Sequence, residues 1–215
     1  MLSTKQLISN CHVIVSGNIA SGKTTLVNQL EEKLRFAAAH ESVEGNPYLP
    51  YFYEDMSKWS FHVAMYFLGD RANKHQNLAT TKGLRVADRS IYEDIHVFLP
   101  FFLETKIITR QEYDTYTRLA RLFETTLPKP NLHIHLYAPT SVLLERIRNR
   151  NREIESGITA AYLEGLEKRY QKWTKTSNLC PILKIDSGKL DYTKSGNSLP
   201  TVVALIENVL GGILT

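Results

Sequence analysis

The chain has 215 residues, of which 43% are apolar and 22% are charged. These values exclude a disordered or fibrous protein and favour one globular domain, residues 1–215, with a single sizeable core. The formal net charge of +4 suits an anionic ligand but is too small to indicate nucleic acid as a partner. Two cysteines are too few for a disulfide framework and are typical of a reducing compartment.

No segment of the sequence resembles a targeting or membrane signal. The N-terminal residues MLSTKQLISN lack the apolar run of a signal peptide. The most apolar window, Val97 to Leu103, is far too short to span a bilayer. We therefore expect a cytoplasmic protein with no membrane partner.

Strand patterns alternate with helical patterns along the chain. The four strand-like runs are Cys11–Ser16, Leu84–Asp88, Leu132–Tyr137 and Pro181–Asp186. Leucines repeat every fourth residue between Thr24 and Phe36, which predicts a helix with one apolar face. A second apolar stripe predicts a helix over Thr159 to Thr174. Strands separated by helices imply an α/β fold, in which helices cover both faces of a parallel sheet.

The segment GNIASGKT matches the phosphate-loop pattern G-x-x-x-x-G-K-[ST], and it follows a predicted strand and precedes a predicted helix. Its glycines allow backbone N–H groups to turn toward a phosphate, and the helix start adds a positive dipole. Lys23 would reach the outer phosphates, and the Thr24 hydroxyl would bind Mg²⁺. The predicted phosphate-binding residues are Gly17, Asn18, Ile19, Ala20, Ser21, Gly22, Lys23, Thr24 and Thr25.

This loop does not by itself distinguish a switch GTPase, an ATPase and a small-molecule kinase. The sequence contains no NKxD-type segment that would read guanine, which weakens the GTPase interpretation.

Four further segments follow the phosphate loop in a fixed order. They are HESVEGNPYL (40–49), FYEDMSKWSF (52–61), ADRSIYED (87–94) and RIRNRNREIESGI (146–158). Together with the loop, they resemble the deoxynucleoside kinase family, most closely its bacterial purine-preferring branch, from about Cys11 to Trp173. The resemblance implies a P-loop kinase fold with a five-stranded parallel sheet and an arginine-rich lid near residues 146–158. It also implies ATP as donor, Mg²⁺, a deoxynucleoside acceptor and a homodimer.

The resemblance assigns catalytic roles to two of these segments. Glu41 matches a family carboxylate that accepts the proton of the attacking 5′-hydroxyl, although Ser42 stands where proline is usual, and Glu44 is the fallback. Asp88 matches an acid that holds Mg²⁺ through water, and Arg89 an arginine that steadies the 5′-oxygen and the moving phosphate. A solvated glutamate and a surface Asp-Arg pair remain the structural alternatives.

The arginine-rich segment matches the family lid. Arg146 and Arg150 lie four residues apart, as do Arg148 and Arg152, so one helix would place each pair on one face. The resemblance selects Arg146, Arg150 and Arg152 as ligands of the ATP phosphates, where guanidinium groups stabilise the transferred charge. The run is short and has no interleaved aromatic residues, which argues against nucleic acid.

The resemblance also implies residues for the acceptor. Tyr53 matches a tyrosine that meets the 3′-hydroxyl, with Glu155 in the lid as its partner; a core aromatic is an equally good interpretation of Tyr53. Arg71 and Asp94 match charged residues around the base, and Phe98 matches a stacking aromatic.

Two positions depart from the family pattern. Where the family has a stacking phenylalanine and a glutamine that reads the base edge, this chain has Val63 and Ala64. Three accounts are open: His62 or another polar side chain such as His96 replaces the amide, the acceptor is another small alcohol or a modified nucleoside, or base recognition is loose.

Two competing functions and three lesser features complete the hypotheses. A nucleoside monophosphate kinase would share the loop and lid, and a catalytically silent nucleotide-binding protein would keep the fold.

Apolar helix faces at Phe61–Leu68 and Leu119–Phe123 are compatible with a homodimer. His133 and His135 share a strand face and are interpreted as ordinary strand residues rather than metal ligands. The segment Asp186–Tyr192 resembles a loop that contacts the donor adenine, and we assign no role to its residues.

Overall fold

The computed structural model describes residues 11–41, 45–193 and 196–213, without the side chains of residues 154, 212 and 213. Ser42 and Glu44, the fallback base, lie outside the described residues. The centre of the fold is a sheet of five parallel strands in the order β2-β3-β1-β4-β5. The strands are β1 (His12–Gly17), β2 (Ala37–Ala39), β3 (Arg85–Asp88), β4 (Leu132–Tyr137) and β5 (Ile182–Asp186).

Helices connect successive strands and cover both faces of the sheet. They are α1 (Lys23–Leu34), α2 (Leu49–Phe52), α3 (Met56–Thr80), α4 (Ile91–Glu93), α5 (Leu99–Glu104), α6 (Arg110–Thr126), α7 (Thr140–Arg150), α8 (Ala160–Thr176) and α9 (Leu199–Ile213). A π-helical turn, Asp94–Phe98, joins α4 to α5, and a 3-10 turn, Glu153–Glu155, follows α7. Within the described ranges, no helix is both long and apolar enough to cross a membrane.

The sheet separates two apolar clusters. Val13 and Val15 of the central strand β1 pack with α1 and α9, whereas Ile14 packs with α3 and α8 on the opposite face. All three side chains are fully buried. Successive strand residues point to opposite faces, so a continuous apolar run is what a strand covered on both sides requires.

The four predicted strands and the five-stranded parallel sheet are confirmed, with bounds shifted by one residue at most. The residues alone did not predict β2, because Ala37–Ala39 is short and has no β-branched or aromatic side chain. It is a strand because it pairs with β3, with Ala37 opposite Arg85 and Ala39 opposite Ala87.

Two predicted helices are confirmed with corrected ends. α1 ends at Leu34 and not at Phe36, because Arg35 adopts a left-handed conformation with φ of 58°. α8 begins at Ala160, where the side chain of Thr159 accepts the backbone N–H of Tyr162.

The expectation that one helix carries all four lid arginines is wrong. α7 ends at Arg150, and Asn151 turns the chain with φ of 47°. Arg152 therefore lies beyond the helix, and the pair of Arg148 and Arg152 does not share a helical face.

Candidate active site

The carboxyl edge of the parallel sheet gathers the predicted site. The phosphate loop follows β1, Glu41 follows β2, and Asp88 and Arg89 lie at the end of β3. The Ser187–Thr193 segment follows β5. This is the edge where α/β folds bind ligands, because all strand ends and their loops meet there.

Surrounding side chains hold the carbonyl groups of the phosphate loop. The hydroxyl of Tyr170 lies 3.0 Å from the Gly17 carbonyl oxygen. The hydroxyl of Tyr192 donates to the Ser21 carbonyl oxygen at 3.3 Å. Arg146 donates to the Ala20 carbonyl at 3.3 Å. The first N–H groups of α1 have no acceptor within the helix and are available to a phosphate.

Lys23 folds back over the loop. Its Nζ donates to the carbonyl oxygens of Gly17 at 2.8 Å and Asn18 at 2.7 Å. Burial, and then the positive charge of Arg89, lowers the pKa of Lys23 to about 7. A phosphate in the loop would offer this ammonium group a stronger, charged acceptor.

Thr24 and Asp88 form an oxygen-rich pair beside the loop. The Thr24 hydroxyl donates to Asp88 Oδ2 at 2.5 Å, while the buried Asp88 Oδ1 has no hydrogen-bond partner among the described residues. Burial, and then the charge of Glu41, raises the pKa of Asp88. An unsatisfied carboxylate oxygen next to a hydroxyl fits a hard divalent cation such as Mg²⁺.

Glu41 lies between two arginines. Arg71 Nη2 is 2.5 Å from Glu41 Oε1, and Arg89 Nε donates to Glu41 Oε2 at 3.0 Å. Burial would raise the pKa of Glu41, but the charges of Arg89 and Arg71 outweigh it and lower the pKa to about 2. Glu41 is therefore a carboxylate at neutral pH, and its side chain is only 14% exposed and held by both arginines, which excludes the solvated-glutamate alternative.

Arg89 is fixed from several directions. Its backbone has φ of 72°, in the left-handed region that non-glycine residues seldom occupy. Its guanidinium donates to Glu93 at 2.9 Å and to the Tyr170 hydroxyl at 3.3 Å, and it lies 5.3 Å from the centre of the Phe98 ring. Asp88 and Arg89 are 4% and 7% exposed, so they do not form a surface ion pair.

A cavity of about 1020 Å³ runs from the phosphate loop past Glu41 toward α3. Eighteen of the predicted residues line it: Ile19, Ala20, Gly22, Lys23, Thr24, Thr25, Glu41, Tyr53, Val63, Ala64, Arg71, Arg89, Asp94, Phe98, Arg146, Arg150, Arg152 and Glu155. The structure places Gly17, Asn18, Ser21 and Asp88 just behind this lining. The prediction of one shared site thus agrees with the geometry.

The far end of the cavity is mostly apolar. α3 contributes Val63, Ala64, Phe67 and Arg71, and the guanidinium of Arg71 pairs with Asp94 and lies 4.8 Å from the centre of the Phe67 ring. The remaining apolar lining is Leu49, Phe52, Phe98, Leu99 and Phe102. Phe67 was missed by sequence analysis, although its four-residue spacing from Val63 and Arg71 places it on the same helix face.

The residues of the predicted lid are linked by ion pairs. Glu155, 7% exposed, lies 2.5 Å from Arg150 and 3.9 Å from Arg152. Arg146 also donates to the Ser187 carbonyl oxygen at 2.6 Å. Tyr53 and Glu155 both line the cavity. Burial, and then the charge of Glu155, raises the pKa of Tyr53, so its hydroxyl is protonated at neutral pH.

The segment after β5 was given no role from the sequence, yet Ser187–Thr193 lines the cavity. Tyr192 within it is 3% exposed and touches the phosphate loop. Its contribution depends on tertiary packing, and its sequence carries no residue spacing that would have indicated it.

Neither proposed histidine replaces the missing amide. His62 is exposed and packs 5.4 Å from the rings of Tyr48 and Trp59, and His96 is exposed and stacks on Trp173 at 5.7 Å. Neither lines the cavity, which leaves the other polar residues of the lining as candidates for the first account.

The two histidines of β4 share one buried face of the strand. His133 Nε2 and His135 Nδ1 lie 2.5 Å and 3.1 Å from the Ser16 hydroxyl. Burial lowers the pKa of each ring to about 3, so both are neutral. In the part of the chain that the structure describes, no cluster of three metal-ligating side chains occurs.

A phosphate loop after β1, the 2-3-1-4-5 strand order and a carboxylate clamped by two arginines define a P-loop kinase that acts on a small acceptor. The family model described as "Deoxynucleoside kinase" matches residues 13–211. The chain belongs to the deoxynucleoside kinase family, whose members transfer a phosphoryl group to a nucleoside hydroxyl.

Similar proteins agree with this assignment. The chain is 34% identical over 203 residues to a deoxyadenosine/deoxycytidine kinase of Bacillus subtilis, covering 94% of each chain. It is 31% identical over 207 residues to a deoxyadenosine kinase of Lactobacillus acidophilus, covering 92% of this chain and 95% of the relative. The structure of deoxyadenosine kinase from M. mycoides, with the products dCMP and a flexible dCDP bound, has a TM-score of 0.79 at 25% identity and covers 94% and 99% of the two chains. These similarities do not favour a monophosphate kinase or a silent protein.

Proposed function

We propose that the protein transfers the γ-phosphoryl group of ATP to the 5′-hydroxyl of a deoxynucleoside, and that it favours purine deoxynucleosides. The observation that carries this proposal is the position of Glu41, which lies between the phosphate loop and the apolar end of one cavity. The relatives named above support a nucleoside as the acceptor.

Glu41 would orient the attacking hydroxyl and accept its proton. Because two arginines lower its pKa to about 2, Glu41 is ionised and ready to accept a hydrogen bond. A strong base is not needed, since phosphoryl transfer places little demand on proton abstraction before the transition state. Arg89, within reach of the same carboxylate, would stabilise the charge on the reacting oxygens.

The donor phosphates would lie in the loop, against Lys23 and the start of α1. Mg²⁺ would be held by Thr24 and, directly or through water, by Asp88, whose unsatisfied oxygen supports this assignment. When bound, the ion neutralises charge on the phosphate oxygens. Arg146, Arg150 and Arg152 would close over the phosphates as a lid and exclude water.

The acceptor would lie along the rest of the cavity. We assign the 3′-hydroxyl to Tyr53 and Glu155, and the base to the region of Arg71, Asp94 and Phe98. The M. mycoides deoxyadenosine kinase has been solved with bound dATP and with bound dCTP, so that relative binds both a purine and a pyrimidine nucleotide. Purine preference here is supported by relatives named for deoxyadenosine and deoxyguanosine.

The same proposal extends to the state of the protein in the cell. Leu119 and Leu122 of α6 are 36% and 57% exposed, an apolar surface that suits a homodimer interface. A cytoplasmic location and a role in nucleotide salvage follow from a reaction that consumes free deoxynucleosides and ATP.

The test is product identification after incubation with ATP and Mg²⁺. Deoxynucleosides, ribonucleosides and deoxynucleoside monophosphates are each supplied as acceptor, and products are separated by chromatography with ³¹P NMR of the new phosphate. We expect 5′-monophosphates from deoxynucleosides. Diphosphates formed only from monophosphates would establish the monophosphate kinase instead, and ATP binding without turnover would establish a silent protein.

A further inference from the structure

The end of the cavity beside α3 has unusually few polar groups, and this feature deepens the proposed function, on which the inference rests. At this end α3 contributes Val63, Ala64 and Phe67, and Leu49 and Phe52 face them. Among the described lining residues here, Arg71 and Asp94 carry the polar side chains, with the hydroxyls of Tyr53 and Tyr162 on the wall toward the lid.

The two charged residues are largely committed to other groups. Arg71 donates to Asp94 through Nη1 and to Glu41 through Nη2. The side chains of Arg71 and Asp94 are each 6% exposed. Arg71 Nε and Asp94 Oδ2 are buried, and neither has a hydrogen-bond partner among the described residues. A base in this region therefore meets an internally neutralised ion pair and a ring of apolar side chains.

Ala64 is the smallest side chain on this wall. It is 8% exposed and lines the cavity with Val63 and Phe67, so any larger residue at this position would extend into the cavity. Around that space, the rings of Phe52 and Phe102 lie 6.0 Å apart and those of Phe98 and Phe102 6.2 Å apart. These aromatic side chains also line the cavity, and we call the part of it in front of Ala64 the recess.

An apolar recess discriminates between ligands in a different way from a hydrogen-bonding site. A site built around a buried amide rejects a base edge that lacks the matching group by about 10⁴–10⁵-fold, whereas an apolar pocket discriminates by only about 10–200-fold. A small alkyl group that fills such a recess gains affinity, by roughly fourfold for each buried methyl.

We propose that Ala64 makes this recess a specificity determinant for alkylated bases: the protein accepts purine deoxynucleosides that carry a small apolar substituent on the exocyclic amine, such as N⁶-methyl-2′-deoxyadenosine. The substituent occupies the recess, and the loss of one N–H donor costs little because the side chains of Val63, Ala64 and Phe67 offer that donor no acceptor.

The test compares kcat/KM for 2′-deoxyadenosine and its N⁶-methyl, N⁶-ethyl and N⁶-benzyl derivatives. For the wild-type protein we expect the N⁶-methyl compound to be used within about tenfold of the parent nucleoside, with a steep fall once the substituent exceeds the recess. Ala64→Gln is expected to lower the N⁶-methyl to parent ratio by at least about 50-fold, because the new side chain fills the recess. Met65→Gln introduces the same side chain one residue away, outside the cavity, and should leave the ratio unchanged.

Each outcome is decisive. Rejection of N⁶-methyl-2′-deoxyadenosine by more than about 200-fold, with the parent nucleoside still phosphorylated, overturns this inference and leaves the proposed function intact. An unchanged ratio in a folded Ala64→Gln protein, checked by circular dichroism, overturns it too. If no deoxynucleoside is phosphorylated at all, the proposed function fails and the inference fails with it. The wild-type series decides the question even if the Ala64 variant does not fold.

Discussion

The two ends of the cavity are built in different ways. At the phosphate end, Lys23, Arg89 and Arg146 each contact at least two groups, and several of these are backbone carbonyls. At the base end, one helix face supplies Val63, Ala64 and Phe67 beside a single ion pair. The phosphate end depends on backbone geometry that few sequences provide, whereas the end beside α3 depends on the individual side chains of one helix face.

The largest expected effect concerns Glu41, where the two ends meet. Glu41→Gln removes the charged acceptor for the 5′-hydroxyl, and we expect kcat to fall by about 10²–10⁴-fold. Donor affinity, measured by calorimetry, should change only a few-fold because the loop is untouched. Glu31→Gln, an exposed carboxylate paired with His40, serves as the control. A kcat within threefold of the wild type would separate Glu41 from the chemistry.

A second prediction challenges the backbone-dependent end. Gly22 has φ of 91°, and a Cβ there would lie 2.6 Å from the Tyr192 hydroxyl. Gly22→Ala should lower the free energy of unfolding by about 1–2 kcal/mol from the left-handed backbone alone, and weaken donor binding as well. Gly69→Ala is the matched control, since open space surrounds that helical glycine and alanine should stabilise the helix there by up to about 1 kcal/mol. Equal denaturant midpoints for both variants would contradict the prediction.

The third prediction uses the lowered pKa of Lys23. In the free protein the pKa of Lys23 is near 7, and bound phosphates should raise it toward its ordinary value. At a pH between these two values, donor binding should therefore be accompanied by the uptake of a proton by Lys23. Donor affinity should consequently fall as pH rises above about 7, by up to about tenfold per pH unit. Calorimetry at pH 8–9 in buffers of different ionisation enthalpy measures the proton directly. Phosphate groups, with a pKa of about 6, are fully ionised in this pH range and do not contribute to the measured uptake. If no proton is taken up at pH 8–9, the prediction for Lys23 is wrong.

The smallest effect is expected at Tyr170, whose hydroxyl joins the Gly17 carbonyl to Arg89. Tyr170→Phe should lower kcat by about threefold to tenfold, the equivalent of one net hydrogen bond. Tyr92→Phe is its control, because Tyr92 is 1% exposed and its hydroxyl has no partner among the described groups. If both variants lose activity equally, the Tyr170 hydroxyl has no specific role.

The sequence was most informative where backbone chemistry dictates residue type and spacing. The phosphate loop could be predicted because glycines, a lysine and a threonine at fixed intervals have few other uses. β2 could not be predicted from its own residues, because three alanines become a strand only by pairing with β3. The arginine spacing did not indicate that α7 ends at Arg150, because the left-handed Asn151 interrupts the helix within that regular spacing.

Side-chain contacts between distant segments were the hardest part to predict. Tyr192 lies 171 positions from the Ser21 carbonyl that it contacts, and no local pattern announces that pairing. His62 and His96 were considered as base-reading groups because they are polar, yet α3 and the π-helical turn direct both to the surface. Helical periodicity would have placed Phe67 correctly had it been followed from Val63 to Arg71.

The guanidinium of Arg71 connects recognition to turnover. One of its nitrogens bonds Asp94 at the base end, and another bonds the carboxylate of Glu41. A base that displaces or tightens this pair changes the electric field on the group that holds the 5′-hydroxyl. Poorly fitting bases should then be bound but turned over slowly, so the enzyme would discriminate among nucleosides through kcat more than through KM.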